Sequence, residues 1–215
     1  MKAGRAACLL LPLALLTGCA DLSRSRDLGN PRVSAVTLAG QVCSNCHGFT
    51  GVSVSPNFPN LAAQTPEYLS AQLKEFRSHG RKDPAGFRYM WGLSRSLTDE
   101  QIAGLAAYYA AQAPASGLPG AGSPAGRTIY LEGVPARNVP ACATCHGAEG
   151  QGNATFPRLA GQHRDYVAKQ LKGFQRTDDR PAGAVMQTIA HALGAEDIVD
   201  IASYVQGLPG TAPAR

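Results

Sequence analysis

The sequence predicts an all-α protein built from two tandem domains. Apolar residues recur at helical spacing, and no segment of useful length alternates as a half-buried strand does. The chain also contains an internal repeat, in which about seventy residues of one half match the other. It has 215 residues, 44% hydrophobic and 16% charged, so bulk disorder is excluded and each half is long enough for a small core.

The first eighteen residues have the pattern of an export signal. Lys2 and Arg5 precede an apolar run over 6–16 that is too short to span a bilayer as a mature helix. The sequence L-T-G-C at 16–19 resembles a bacterial lipobox, in which the cysteine is acylated after cleavage. We therefore expect a lipoprotein signal peptide over 1–18, lipidation of Cys19 and a polar tether over 19–30. An ordinary signal peptide that contains a cysteine is the alternative.

The charge pattern argues against a nucleic-acid partner. The full chain has 20 basic and 15 acidic side chains, and loss of residues 1–18 leaves 18 basic against 15 acidic, a net charge of +3. The basic side chains form no run and no stripe with interleaved aromatic residues, which a nucleic-acid-binding surface would show. No nucleic-acid binding is expected.

Two copies of one motif carry the chemistry, C-S-N-C-H at 43–47 and C-A-T-C-H at 142–146. The spacing C-x-x-C-H is typical of c-type haem attachment, because two such thiols can add to the two vinyl groups of one porphyrin while the next imidazole meets the iron. We therefore expect two covalently attached haem c groups. Cys43 and Cys46 would hold one, and Cys142 and Cys145 the other.

A bare C-x-x-C pair has other uses. A thioredoxin-like redox pair would need a surrounding βαβ pattern, which is not visible. A shared zinc ion would not require a histidine after each pair, and a disulfide is the plainest option for an exported protein. The repetition of the whole motif favours haem.

The repeat sets the domain boundaries. F-P-N-L-A-A-Q over 58–64 matches F-P-R-L-A-G-Q over 156–162, and the similarity continues to Tyr108 and Tyr204. We expect domain 1 over 31–112, a Gly- and Pro-rich linker over 113–123, domain 2 over 124–209 and a tail over 210–215.

Helix signals recur in both copies. T-D-E-Q at 98–101 is a capping box, and Thr65 followed by Pro66 is typical of a helix start. A short helix should precede each haem motif, with Tyr130 facing the last helix of its domain. The apolar faces of the two closing helices are Ile102, Leu105, Ala106 and Tyr109, and Ile198, Ile201, Ala202 and Val205.

Methionine is expected as the second axial ligand of each iron. After removal of the signal the chain has two methionines, Met90 and Met186, and they occupy equivalent places in the repeat. A thioether favours ferrous iron and closes the iron to substrates. The other histidines, His79, His163 and His191, do not recur, and exposed positions are expected for them. His191, close to Met186, is the rival ligand.

The tandem arrangement is similar to the dihaem cytochromes c4, which are built from two class I cytochrome c domains. The similarity rests on both C-x-x-C-H-G motifs, F-P-x-L-A, the methionine and the closing L-x-x-E-x-I helix, and it covers residues 33–208. It implies His47 with Met90 on one iron, and His146 with Met186 on the other. It also implies that the carbonyls of Pro59 and Pro157 accept hydrogen bonds from the ligand histidines.

This resemblance implies an electron carrier rather than an enzyme. We expect a protein lipid-anchored on the periplasmic side of a bacterial membrane, passing single electrons between respiratory redox proteins and towards a terminal oxidase, with no small-molecule substrate. The cytochrome subunit of a periplasmic dehydrogenase complex is the first alternative. A dihaem peroxidase-type enzyme is the second, and it would require one open iron.

Overall fold

The predicted all-α fold is confirmed in a computed structural model, which describes residues 26–84 and 86–210. Over these residues no strand forms, and the β-type pairing is limited to two isolated bridges, Val134 with Val139 and Asn153 with Phe156. In the same ranges no helix is long and apolar enough to cross a membrane. The predicted signal peptide, Cys19, most of the tether and residues 211–215 of the tail lie outside the described residues.

The described residues of the first half form five α-helices and two π-helical turns. A π turn over Ala39–Cys43 leads into the first haem motif, and a second over Gly86–Met90 ends at the predicted ligand. The α-helices are α1 (Ala35–Leu38), α2 (Ser44–His47), α3 (Pro66–Arg77), α4 (Trp91–Ser94) and α5 (Asp99–Ala110).

The second half repeats this order with different local geometry. Short 3₁₀ turns over Pro135–Arg137, Thr177–Asp179 and Pro181–Gly183 connect its helices. The α-helices are α6 (Pro124–Glu132), α7 (Ala143–His146), α8 (Arg164–Phe174), α9 (Ala184–His191) and α10 (Ala195–Gly207).

Two helices start at the residues that the capping signals predict. Thr98 accepts a hydrogen bond from the Gln101 N–H while the Gln101 side chain accepts one from the Thr98 N–H, a complete capping box. Thr65 and Pro66 hold the predicted N-cap and N1 positions of α3, but the Thr65 hydroxyl makes no capping bond. The position is therefore set by the backbone and the proline ring.

Each half has its own apolar core, packed on the buried face of its closing helix. The predicted face residues of α5 and α10 are all buried. Tyr130 of α6 is fully buried, with its ring 5.3 Å from that of Tyr204 in α10, as predicted. Gly126 allows α6 to approach α10 closely, because a Cβ there would lie 2.0 Å from the Asp200 carbonyl oxygen.

Candidate haem sites

Each haem motif folds as one helical turn. The first cysteine of each motif is the N-cap residue of α2 or α7, with helical backbone angles. The second cysteine lies three residues after it and the histidine four, so all three side chains share one face of the turn. Each turn ends at a glycine with positive φ, Gly48 at 75° and Gly147 at 83°. This backbone favours glycine and turns the chain away directly after the histidine.

The two motif histidines are oriented by prolyl carbonyls. His47 Nδ1 lies 2.9 Å from the Pro59 carbonyl oxygen, and His146 Nδ1 lies 2.8 Å from that of Pro157. A donor role for Nδ1 leaves Nε2 of each ring with its lone pair available to a metal. Burial lowers the pKa of both histidines, and the carbonyl contact offsets this in part. The neutral imidazole that binds iron is therefore favoured.

One continuous cavity of about 880 Å³ brings the candidate ligands together. Met90 and Met186, both half-buried, line it with the motif residues. Aliphatic and aromatic side chains from both halves supply most of the remaining wall. The motif residues in the lining are Cys43, Cys46, His47, Cys142, Cys145 and His146.

The first thiol of each motif is not poised as a thiolate. Burial raises the pKa of the free Cys43 and Cys142 thiols to about 11 in each case. Reactive C-x-x-C pairs instead have a lowered thiol pKa. In the described ranges there is no group of three or more His, Cys, Asp or Glu side chains that could hold a metal ion such as zinc. The four motif cysteines form no disulfide. The surroundings therefore suit a large apolar group attached at the sulfurs.

The two methionines reach the cavity from helical segments of different kinds. Met90 is the last residue of a π turn, whereas Met186 lies in the first turn of α9. The neighbours differ too, since Tyr89 is exposed and bulky where Val185 stands in the second half. The two sites are equivalent in their candidate ligands and different in their surroundings.

The expected exposure of the remaining histidines is wrong for two of them. His163 is half-buried, and its Nε2 lies 3.0 Å from the Ser53 carbonyl oxygen of the other half. His79 is half-buried and stacks edge-on against Trp91 with ring centroids 4.3 Å apart. His191 is exposed as expected. None of the three lines the cavity, whereas Met90 and Met186 do.

Comparison with known proteins agrees with this geometry. The family model for cytochrome c matches residues 34–111 and again 124–209. Cytochrome c4 of Azotobacter vinelandii is 39% identical over 214 residues, which cover 93% of this chain and 96% of the relative. This chain belongs to the dihaem cytochrome c4 family. As a member it carries two covalently bound haem c groups, one at each C-x-x-C-H motif.

Two further relatives place this cytochrome c4 family member among electron-transfer proteins. The crystal structure of reduced recombinant cytochrome c4 from Pseudomonas stutzeri superposes with a TM-score of 0.73 at 34% identity, covering 81% of this chain and 96% of that one. A thiosulfate dehydrogenase electron acceptor of Stutzerimonas stutzeri is 34% identical over 173 residues, covering 77% of this chain and 78% of the relative. Electron transfer by a dihaem cytochrome is the function of the family.

The residues that join the two halves of this cytochrome were not identified from the sequence. Gln64 and Gln162 each bind the main chain of the opposite half. Their signal is present in the repeat, where both copies of the F-P-x-L-A-x-Q segment end in this glutamine. A motif that is mostly apolar, however, suggests residues of a hydrophobic core. Only the packing of the two halves shows that the glutamine lies at the boundary between them.

Proposed function

We propose that this protein is a lipid-anchored electron carrier on the periplasmic side of a bacterial membrane. It passes single electrons between redox proteins of a respiratory chain, in the direction of a terminal oxidase. Its axial ligand pairs are His47 with Met90 and His146 with Met186. The observation that carries this proposal is the continuous cavity that both motifs and both methionines line.

The ligand set explains why this chain carries electrons and does not act on a substrate. When bound, each haem supplies a one-electron couple at iron. The protein fixes the histidine ring through a prolyl carbonyl and presents a thioether from Met90 or Met186. Methionine raises the potential relative to harder ligands and occupies the coordination position that an enzyme would leave open.

The rim of the cavity in the first half provides a surface for a redox partner. Phe87 and Tyr89 are 56% and 59% exposed, and exposed Arg88 stands between them. Arg88 and Tyr89 also line the cavity, so a partner resting there lies close to the first haem site. An apolar contact flanked by a cation suits a redox protein with an acidic docking face, because complementary charge steers the encounter.

A second candidate function is the cytochrome subunit of a periplasmic dehydrogenase complex. The similarity to thiosulfate dehydrogenase electron acceptors favours it, although these relatives cover less of the chain than cytochrome c4 does. Isolation of the full chain from its native membrane distinguishes the two. A catalytic subunit that co-purifies in fixed ratio supports the dehydrogenase role, whereas its absence supports a free carrier.

The membrane anchor is proposed from the lipobox-like sequence at 16–19. Acylation of Cys19 would hold the haem domains, which we place at 31–112 and 124–209, near the membrane surface through the short tether. The Cys19→Ser variant should move the holoprotein from the membrane fraction to the soluble periplasmic fraction. Retention of this variant in the membrane would contradict the anchor and leave the haem assignment intact.

The main proposal is tested by spectroscopy of the matured chain over residues 20–215, exported together with haem maturation machinery. We expect two haems per chain, low-spin in both oxidation states, with the weak ferric charge-transfer band that methionine sulfur produces. Carbon monoxide and cyanide should bind slowly or not at all. A high-spin fraction, or rapid binding at one haem, would instead favour the peroxidase-type alternative, and turnover of hydrogen peroxide would then establish it.

A further inference from the structure

Two arginines and two glutamines meet where the halves of the molecule face each other. Arg81 donates to Gln72 Oε1 at 2.8 Å and to Gln170 Oε1 at 2.9 Å. Arg180, from the second half, donates to the same two oxygens, at 3.0 Å to Gln72 and through Nη1 to Gln170. These four residues are here named the arginine–glutamine cluster. Both arginines are buried in it.

The cluster is nearly symmetric and lies beside both haem sites. Gln72 and Gln170 are equivalent in the repeat, and all four members line the cavity. Arg81 stacks on Phe76 at 4.5 Å, and Arg180 stacks on Phe174, the equivalent residue, at 4.4 Å. Each guanidinium group therefore packs on an aromatic ring of its own half and also donates a hydrogen bond to the glutamine of the opposite half.

One carboxylate breaks this symmetry. Asp83 Oδ1 accepts a hydrogen bond from Arg81 Nε at 2.6 Å, and Asp83 is only 3% exposed. Asp179, next to Arg180 in sequence, instead binds the exposed side chain of Arg176 at 2.7 Å. In the described part of the chain, no carboxylate accepts a hydrogen bond from Arg180. Arg81 therefore has a direct ion pair with Asp83, whereas Arg180 interacts with this carboxylate only through its charge, without a hydrogen bond.

Asp83 is ionised at neutral pH. Burial by itself would raise the pKa of its carboxyl group. The charge of Arg81, the hydrogen bond that Arg81 donates and the nearby Arg180 outweigh that effect and hold the pKa below its ordinary value. Asp83 does not line the cavity itself, and its carboxylate is bonded to Arg81, which does.

We propose that Asp83 lowers the reduction potential of the domain 1 haem relative to the domain 2 haem by neutralising Arg81. A buried cation beside a haem favours the reduced state, because reduction adds a negative charge to the centre. Arg81, which is directly paired with Asp83, gives less of this stabilisation than Arg180, which has no direct carboxylate bond. An electron that enters the chain therefore resides mainly on the haem of Cys142 and Cys145. This inference rests on the proposed function. In it, Asp83 is a positioning residue, which acts on the haem potential by offsetting the charge of Arg81.

The test compares Asp83→Asn with the unaltered holoprotein. Both potentials are measured by spectroelectrochemical titration, and NMR of partly reduced samples assigns each haem to its domain through contacts with neighbouring side chains. The variant should raise the potential of the domain 1 haem more than that of the other. We expect the equilibrium constant for electron exchange between the haems to change by about three- to tenfold, the upper value being about 59 mV for a one-electron couple.

Matched variants separate this effect from damage to the fold. Asp99→Asn changes an exposed carboxylate of the same half that pairs with Arg77, and it should leave both potentials unchanged. Asp83→Glu should keep most of the difference between the haems. Arg180→Gln removes the cation that has no hydrogen-bonded carboxylate and should lower the potential of the domain 2 haem, which provides a second test if Asp83→Asn does not fold.

An unchanged difference in Asp83→Asn, equal shifts at both haems, or a higher domain 1 potential in the unaltered protein would overturn the inference. Two low-spin haems in such a sample would still leave the proposed carrier function standing. Loss of the low-spin state in the unaltered protein would overturn the carrier function itself.

Discussion

Gln64 binds the main chain of Arg158 across the boundary between the two halves. Its Nε2 donates to the Arg158 carbonyl oxygen at 3.0 Å, and its Oε1 accepts from the Arg158 N–H at 2.6 Å. Gln162 makes the equivalent pair of bonds with Asn60, both at 2.9 Å. Because each glutamine satisfies one buried N–H and one buried C=O of the opposite half, the pair fixes how the two halves meet.

Removal of one of these glutamines should weaken the contact between the halves. Gln64→Ala leaves the Arg158 main-chain groups without their side-chain partner, which we expect to lower the free energy of unfolding by about 1–3 kcal/mol. Denaturant unfolding followed at both haems measures this. Gln112→Ala is the control, since among the described residues its side chain bonds only to the Tyr108 carbonyl, within the first half. Equal losses in both variants would contradict a special role for Gln64.

The proposed axial methionines can be tested one at a time. Met90→Ala should make one haem of the pair high-spin and open to carbon monoxide while the other stays low-spin, because the thioether then no longer occupies the sixth position. Met186→Ala should do the same at the other haem. Absorption spectra with and without carbon monoxide provide the measurement. An unchanged low-spin spectrum in either variant would show that another group binds that iron.

The two N-cap threonines should differ in their contribution to stability. Thr98 completes a capping box, so Thr98→Ala is expected to lower the free energy of unfolding by about 1 kcal/mol. The buried Thr65 hydroxyl has no hydrogen-bond partner among the described residues. Thr65→Ala should therefore change the free energy of unfolding by less than about 0.5 kcal/mol. Thermal unfolding of both variants compares them directly. A larger loss for Thr65→Ala would contradict this assignment of caps.

The Asp197 carboxylate at the start of α10 should make the free energy of unfolding depend on pH. The hydrogen bond from Arg137, with smaller help from the Gly194 N–H, lowers the pKa of Asp197. A lowered folded-state pKa means that this contribution is complete above the ordinary aspartate pKa of about 3.9 and is lost as the pH falls through the lower folded value. Asp197→Asn should therefore cost about 1 kcal/mol at pH 7 and progressively less below pH 4.

The measurement for Asp197 is the free energy of unfolding between pH 7 and pH 3. Asp165→Asn serves as the control, since Asp165 is exposed and lies 3.4 Å from Arg164 at a comparable distance from a helix start. A difference between Asp197→Asn and the unaltered protein that persists undiminished to pH 3 would show that the carboxylate charge is not responsible.

The proposed docking rim predicts an electrostatic effect on electron transfer. Arg88→Glu should slow association with an acidic redox protein by about three- to tenfold at low ionic strength, and added salt should shrink the difference. Stopped-flow kinetics with a plant-type ferredoxin as the acidic probe measures this. Arg127→Glu makes the same charge change at an exposed position of the second half. Equal slowing by both variants would show that only net charge matters.

Much of the fold follows from local sequence signals. The capping box at Thr98, the start of α3 at Thr65 and Pro66, and the buried faces of α5 and α10 depend on residues close together in the chain. The π turns that precede the first haem motif and end at Met90 were not predicted. An inserted residue in a helix leaves no distinct periodic pattern in so short a segment.

The candidate site shows the same division. The sequence by itself determined the haem motifs and the two methionines, because covalent attachment and iron ligation require particular residue types at fixed places. The tertiary structure decided that the two sites share one cavity and that His163 bonds across the boundary. It also decided that Arg81 is bonded to a buried carboxylate, whereas no carboxylate among the described residues accepts a hydrogen bond from Arg180. The His163 bond joins residues about a hundred positions apart. Arg81 and Asp83 are near neighbours in the chain, but the effect of their charges depends on burial, which only the packed chain fixes.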